Sequence, residues 1–382
     1  MADEKLVPKL RFSGFDDDWQ ETTLDDIATF LKGKGISKND ISEEGIECVR
    51  YGELYTKYGE LIYNIDSKTN LNKNELVLSN KNDILIPCSG ETAIDLATAS
   101  CIQKEQVAIG GDITIIRTNQ YAPFITYYLN QKRNEIARFA QGVSIVHLYS
   151  KDFKALKMKI PSINEQKKII SLLEVLTKKE QLLEQKYRDY QDFKKYLMQQ
   201  IFAQKLRFAN FDDDWEIKKL GNIVEFLDNK RIPLNEDERN NQKDIYPYYG
   251  ASGIIDYVED YIFDEELILI GEDGTIDVNL ASGKYWVSNH AHVLRANKNI
   301  NQHYLLEFLK TVHFEIYNTG TIQPKLNKET CKSIPIKIPE SLEEQKLIAN
   351  CLFEASNRIK ICQKQIDITN KFKKGLLQQM FI

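Results

Sequence analysis

The sequence predicts an α+β protein in which two dissimilar globular blocks are joined by two long antiparallel coiled-coil helices, the whole forming a pseudo-twofold internal repeat. Three observations carry this reading. Apolar residues recur every seven positions at Ile169, Leu176, Leu183, Tyr190 and Leu197, with Leu173, Tyr187 and Ile201 filling the alternate seam. The seam returns 179 residues later at Ile348, Ala355, Cys362, Thr369 and Leu376, with Leu352, Ile359, Ile366 and Met380 in the alternate position. The opening PKLRFSGFDDDW, Pro8 to Trp19, reappears as QKLRFANFDDDW from Gln204 to Trp215, identical at 9 of 12 positions. The expected segments are a first block over 1–161, a helix over 162–202, a second block over 203–340 and a helix over 341–382.

Taken in order, each opening ends in three aspartates that read as a turn capping the next segment, and in a Trp that reads as a packing anchor. Short strands follow at Glu47 to Tyr51, Glu60 to Tyr63, Asp83 to Pro87 and Asp112 to Arg117. A helix is expected from Pro123 to Ala140, with Pro in its first turn and apolar residues at helical spacing. A Gly-led loop, Gln141 to Leu148, then leads through Ile160-Pro161 into the first long helix. Ser162-Ile163-Asn164-Glu165 is a capping-box pattern, in which the Ser oxygen and the Glu carboxylate each satisfy a first-turn N–H, and Ser341-Leu342-Glu343-Glu344 repeats it. The second block keeps the frame. Tyr246 to Gly250 stands for Val49 to Gly52, Leu267 to Gly271 for the Ile84 strand, Val293 to Asn297 for Ile115 to Asn119, and Gly320 to Leu326 for the Gly-led loop. On the seam, Glu180 is expected to face apolar surroundings, with Ile359 at the matching site. A lone helix of this length, roughly 60 Å at 1.5 Å per residue, would be unstable, so its own repeat is the natural partner.

The 382 residues, 42% hydrophobic and 28% charged, suffice for two ordinary domains plus helices. The N-terminus MADEKLVPKL lacks the apolar core of a signal peptide and no run is long enough to span a bilayer, so a cytoplasmic location without membrane contact is expected. Six cysteines without Cys-x-x-Cys spacing read as buried free thiols. The net charge of −5 argues against gripping nucleic acid by electrostatics alone. The blocks carry 17 basic against 18 acidic residues (20–160) and 14 against 20 (216–340), so an anionic ligand must meet local patches.

Catalytic patterns are missing. Lys32-Gly33-Lys34-Gly35 does not have phosphate-loop spacing, no Gly-x-Gly-x-x-Gly follows a strand, and the adenine-methylase signature Asn/Asp-Pro-Pro-Tyr/Phe does not occur. Glu165-Gln166-Lys167 and Glu344-Gln345-Lys346 have the Glu-x-Lys form of some nuclease sites, but capping explains them better. His290 and His292 face one side of an apparent strand with His303 nearby, and a hydrogen-bonded pair outweighs a metal site. No catalytic and no metal-ligating residue is assigned. Basic, aromatic and amide residues in loops are the candidate contacts to phosphates and base edges: Lys32, Lys34, Lys38, Arg50, Tyr51, Gln141, Ser144 and His147 in the first block, and Lys230, Arg231, Tyr248, Tyr249, Gln323 and Lys325 in the second. Singly each reads as an exposed turn; recurrence at matching frame positions favours function for the set.

With its Leu-Arg-Phe…Trp openings, its Gly-Val-Ser-Ile-Val-His-Leu and Gly-Thr-Ile-Gln-Pro-Lys-Leu loops and its Ile-Pro…Glu-Gln-Lys helix starts, the whole chain resembles the specificity subunits of type I restriction-modification systems. The resemblance implies that each block is a target-recognition domain reading one half of a split site in double-stranded DNA, and that the paired helices set the gap between the halves. It further implies a non-catalytic chain without a cofactor of its own, which recruits two modification (adenine methyltransferase) subunits that use S-adenosylmethionine, and restriction subunits that use ATP and Mg. The other readings are a cryptic metal-dependent nuclease and a protein scaffold with two sensor domains and no DNA role.

Inserting one heptad between Leu176 and Tyr190 is expected to change the gap between half-sites and leave both half-sites intact. Mapping methylated adenines in cells carrying the insertion variant tests this: altered bases within a half-site would overturn the division between helix and block.

Overall fold

The computed structural model describes residues 7–142, 146–240, 245–320 and 324–382. The chain divides into two compact units, one of Met1–Leu182 with Gln365–Ile382 and one of Leu183–Lys364. The divisions fall inside both long helices, Ile163–Phe202 and Leu342–Met380.

In the first unit a five-stranded sheet runs in the order Ala28–Lys32, Ile113–Thr118, Asp83–Pro87, Ser100–Ile102, Leu61–Ile62. Side chains alternate across it. Ile84, Ile86 and Ile116 enter a core with Trp19, Phe124, Tyr127, Ile169 and Leu173, while Leu85, Ile113 and Ile115 enter a smaller one with Val49, Leu54 and Ile109. A second sheet orders Ala108–Ile109, Ile46–Val49, Ser67–Thr69 and Ile41–Ser42. The second unit repeats the plan: Val224–Phe226, Ala291–Ala296, Leu267–Gly271 and Val278–Ala281 form one sheet, and Gly253–Val258, Tyr246–Gly250, Lys284–Val287 and Phe263–Asp264 the other. In each unit the Trp-bearing opening leads into a strand that pairs antiparallel with the strand before the long helix, Gln20–Thr23 with Lys157–Ile160 and Glu216–Lys219 with Pro335–Ile338.

Both long helices start as their sequences predict but are tied down differently. Ser162 and Ser341 accept from the N–H of Glu165 and Glu344 at 3.4 Å. The glutamates do not complete the box. Glu165, 1% exposed, takes both carboxylate oxygens to Arg11 of the opening, at 2.8 Å each. Glu344 does the same with Arg207 at 2.8 and 3.1 Å, and also accepts from Trp215 Nε1 at 3.3 Å. Arg11 and Arg207 each donate a further bond to the carbonyl of an opening aspartate, Asp17 and Asp213. The adjoining glutamines are buried as well. Gln166 Oε1 accepts from Tyr121 N at 3.0 Å and Gln345 Oε1 from Asn301 N at 2.7 Å, so each helix start is bonded to the residue that caps the helix after the sheet.

Every seam residue is buried or half-buried. In the first unit Leu376, Met380 and Phe381 join the core of Ile169 and Leu173, and Lys373 reaches Glu180 at 3.3 Å. Glu180 thus meets a cation, where apolar surroundings were expected. In the second unit Leu197 and Ile201 share a core with Ile348, Leu352 and Ala355, and the Cys362 thiol donates to the carbonyl of Leu183.

Other expectations need correction. The Glu47–Tyr51 strand ends at Val49, because Arg50 caps and Tyr51 begins the helix Tyr51–Thr56, with Glu53 accepting from Arg50 N. The register of the second sheet therefore makes Cys48-Val49 the counterparts of Tyr248-Tyr249. The Pro123–Ala140 helix is two, Ala122–Gln131 and Arg133–Ala137, broken at Lys132. All six cysteines are free and all but Cys351 are buried.

Replacing Arg11 by Ala leaves a buried carboxylate unpaired and is expected to cost roughly 3–5 kcal/mol, and Arg207→Ala the same. The joint replacement Arg11→Met with Glu165→Met should recover most of it. Denaturant unfolding of the full chain decides: a cost below about 1 kcal/mol, the value of an exposed pair, would show that the pair does not hold the helix start.

Candidate nucleic-acid interface

The first unit gathers four of its candidates around one groove of about 550 Å³. Lys32 and Lys34 end the strand Ala28–Lys32, and Arg50 and Tyr51 lie across from them at the helix start, with Ser37 and Asp112 on the rim. An adjoining groove of similar size is lined by Lys38, Arg50, Tyr51 and Lys57. Glycine makes this approach of backbones possible: a Cβ on Gly33 would sit 2.0 Å from the carbonyl oxygen of Gly110, and one on Gly111 would sit 3.0 Å from Gly35 Cα. Tyr51 is 39% exposed, whereas the Arg50 guanidinium lies 3.4 Å from Glu53. Burial raises the Glu53 carboxyl, but hydrogen bonds from Ser67 and from Arg50 N outweigh it, so the net shift is downward.

Gln141 and His147 close a hairpin, Gln141 N donating to His147 O at 2.9 Å and His147 N to Gln141 O at 2.7 Å. The His147 ring lies 3.2 Å from Ser89 Oγ and stacks on Tyr149, over which Lys151 sits. Ser144 falls outside the described residues. Tyr149 and Lys151 are not among the sequence candidates; Tyr149 caps and Lys151 belongs to the short helix Ser150–Phe153 that follows the hairpin.

The second unit uses several of its candidates internally. Arg231, 14% exposed, pairs with Glu272 at 2.8 Å and donates to the carbonyls of Asp228, Asn289 and Ala291. Tyr248 is 2% exposed; its hydroxyl accepts from Leu234 N and Arg239 lies over its ring. Tyr249 is half-buried edge-on to Tyr285, and burial pushes its hydroxyl above the usual tyrosine value. Lys230 is exposed, and Lys325 lies 3.3 Å from Asp273 in a loop held by Thr319 N to Lys325 O. Gln323 falls outside the described residues. The three histidines do not converge. His290 is beside Asp273 and His303 beside Glu266, while His292 is buried between Asp228 Oδ2 at 3.0 Å and Leu326 O at 2.7 Å. Among the described residues no group of three or more His, Cys, Asp or Glu side chains is placed to hold a metal.

Two copies of one frame, differing at their rims, match the family whose model is described as the type I restriction modification DNA specificity domain, over residues 16–189 and again over 212–370. The chain belongs to this family. Across 94% of this chain and 91% of its own length, the MjaVIII specificity subunit of Methanocaldococcus jannaschii is 23% identical. A putative type I restriction enzyme specificity subunit of Haemophilus influenzae is 35% identical over 129 residues, 33% of that protein. The crystal structure of a type I S subunit from M. genitalium superposes with a TM-score of 0.70 at 18% identity, over 98% of this chain and 99% of that one, a likeness of fold. Among the described residues no helix is long and apolar enough to cross a membrane.

Within this specificity-domain frame, Arg231→Ala is expected to destabilise the second unit by roughly 3 kcal/mol, because Glu272 and three carbonyls lose this donor. Lys230→Ala should leave stability within about 0.5 kcal/mol, as at an exposed site. Thermal unfolding separates the two, and equal effects would contradict the internal role of Arg231.

Proposed function

We propose that this chain is the specificity subunit of a type I restriction-modification enzyme, in which each unit reads one half of a bipartite DNA site. The observation that carries the reading is the double match of a DNA-specificity domain onto two blocks with a shared scaffold and different rims. Shared scaffolds fix how a ligand is approached, and variable loops fix what is read. The paired seam supports the finer reading of the long helices as an antiparallel coiled coil, with Glu180 against Lys373 in one unit and Leu183 against Cys362 in the other.

The chain itself is non-catalytic on this reading and takes no cofactor; two modification subunits with S-adenosylmethionine methylate adenine, and restriction subunits consume ATP with Mg. Duplicated exposed apolar side chains support two equal partners. Leu182 and Ile361 occupy the same repeat position at 62% and 58% exposure, and Phe193 and Phe372 another at 50% and 56%. The nuclease alternative loses its basis, because both Glu-x-Lys carboxylates are buried on arginine.

The test is adenine-methylation mapping in cells with and without the gene, modification subunits present in both. A bipartite site should be methylated only with the gene, and Lys325→Ala should relax one half of it. Methylation of the same site without the gene would refute the assignment.

A further inference from the structure

The two units differ at one equivalent place. Thr118 pairs with Ala28 in the first unit and Ala296 with Val224 in the second, so the two strands are in the same register and Lys32 corresponds to Asp228, Lys34 to Lys230. In the second unit Asp228 and Arg231 of this stretch turn inward, leaving Lys230 as its one exposed cation. Asp228 is 6% exposed and accepts from Val293 N at 2.9 Å, beside His292, and Arg231 is spent on Glu272 and carbonyls. In the first unit it stays outside. Lys32, Lys34 and Lys38 are exposed, and their ammonium groups make no ion pair or hydrogen bond among the described residues. Lys32 and Lys34 line one groove and Lys38 the adjoining one, and the floor of the first is largely backbone, since a Cβ on Gly33 would clash with the Gly110 carbonyl and one on Gly111 would press on Gly35. The acids near it are Glu53, which is buried on Arg50, Asp40, which accepts from Ser37 N, and Asp112, so the three lysines still outnumber the two available carboxylates.

We propose that this groove is an anchor for the phosphodiester backbone of duplex DNA in the half-site read by the first unit, and that the second unit has no equivalent. The chemistry fits a strand of phosphates. Lysine ammonium groups are compact point charges that neutralise phosphates without needing a fixed fork geometry, and a floor that is largely backbone lets a sugar-phosphate chain approach closely. The bidentate fork that best reads a guanine edge belongs to arginine, and the one guanidinium here lies against Glu53. Binding to the first half-site is therefore salt-sensitive and tolerant of sequence at the groove, while binding to the second rests less on charge. This rests on the DNA-reading function proposed above.

The experiment is a salt titration of the full-length chain assembled with its modification subunits, on a duplex carrying the mapped site. Lys32→Ala with Lys34→Ala should flatten the plot of log K against log salt by about 2, since each lost phosphate contact removes about 0.9. Affinity should fall on the order of 50-fold at 0.1 M salt, with the methylated sequence unchanged. Lys32→Arg with Lys34→Arg should restore the slope, and Lys73→Ala with Lys81→Ala, exposed lysines of the same unit outside the groove, should leave it unaltered. Neutral methylphosphonate linkages in one half-site should weaken the natural chain and have no further effect on the Lys32/Lys34 variant. An unchanged slope, or a changed methylated sequence at unchanged slope, overturns the phosphate assignment alone. Absence of any site preference in the natural complex would instead overturn the DNA-reading function.

Discussion

The structure depends on a buried arginine–glutamate pair at the start of each long helix. A carboxylate 1% exposed is tolerable only with a charge partner and further hydrogen bonds, so Glu165 and Glu344 oblige Arg11 and Arg207 to sit beside them. Those arginines lie in the Leu-Arg-Phe segments. Fixing them fixes the opening turn through the carbonyls of Asp17 and Asp213, the Trp that follows, and the strand that pairs with the one entering the helix. The adjacent glutamine then ties the helix start to the helix beyond the sheet. One polar knot thereby joins the opening, the sheet and the long helix, and the need to keep every member satisfied explains why the sequence around it appears twice almost unchanged.

Away from the knot the two units are free to diverge, and they do so where the backbone leaves the sheets. The central strands are buried on both faces in each unit, so their side chains are constrained by packing. The edge strands Ala28–Lys32 and Val224–Phe226 run on into Lys32, Gly33 and Lys34 in one unit and Asp228, Asn229 and Lys230 in the other. A change from an outward cation to an inward carboxylate is costly unless the partners arrive with it. His292, Val293 N and Lys328 supply them in the second unit. The rims have thus been rebuilt as sets rather than residue by residue.

Much of this was legible in the sequence because it is local or periodic. The duplication, the helix bounds, the Asp83–Pro87 strand and the two Trp anchors follow from spacing and side-chain type. What was not legible depends on partners far along the chain. The capping-box pattern at Ser162 and Glu165 gives no hint that the glutamate belongs to Arg11, 154 residues away. Tyr248 and Arg231 have the composition of an exposed binding loop, and only the surrounding strands and the segment carrying Leu234 and Arg239 show that both face inward. Glu180 likewise breaks an apolar seam until Lys373 is brought opposite. The Lys32 and Arg50 candidates converge, but their shared groove depends on glycine contacts between residues 33 and 110, which no local pattern encodes.

Charge then sets how such a chain can engage DNA. Lysines and arginines number 51 against 56 acids, and many of the cations are committed: Arg11, Arg207, Arg231 and Arg295 to carboxylates, Lys194 and Lys310 to Glu307. Phosphate binding draws only on cations left free, and each contributes through counterion release that weakens steeply with salt. On the proposed function, a small free set such as Lys32, Lys34 and Lys38 would position a duplex without holding it firmly. On the proposed reading this is an advantage for a specificity subunit, because affinity then requires the contacts of assembled partners. On that reading sequence choice resides in this chain, and the strength of binding comes from contacts that the modification subunits add.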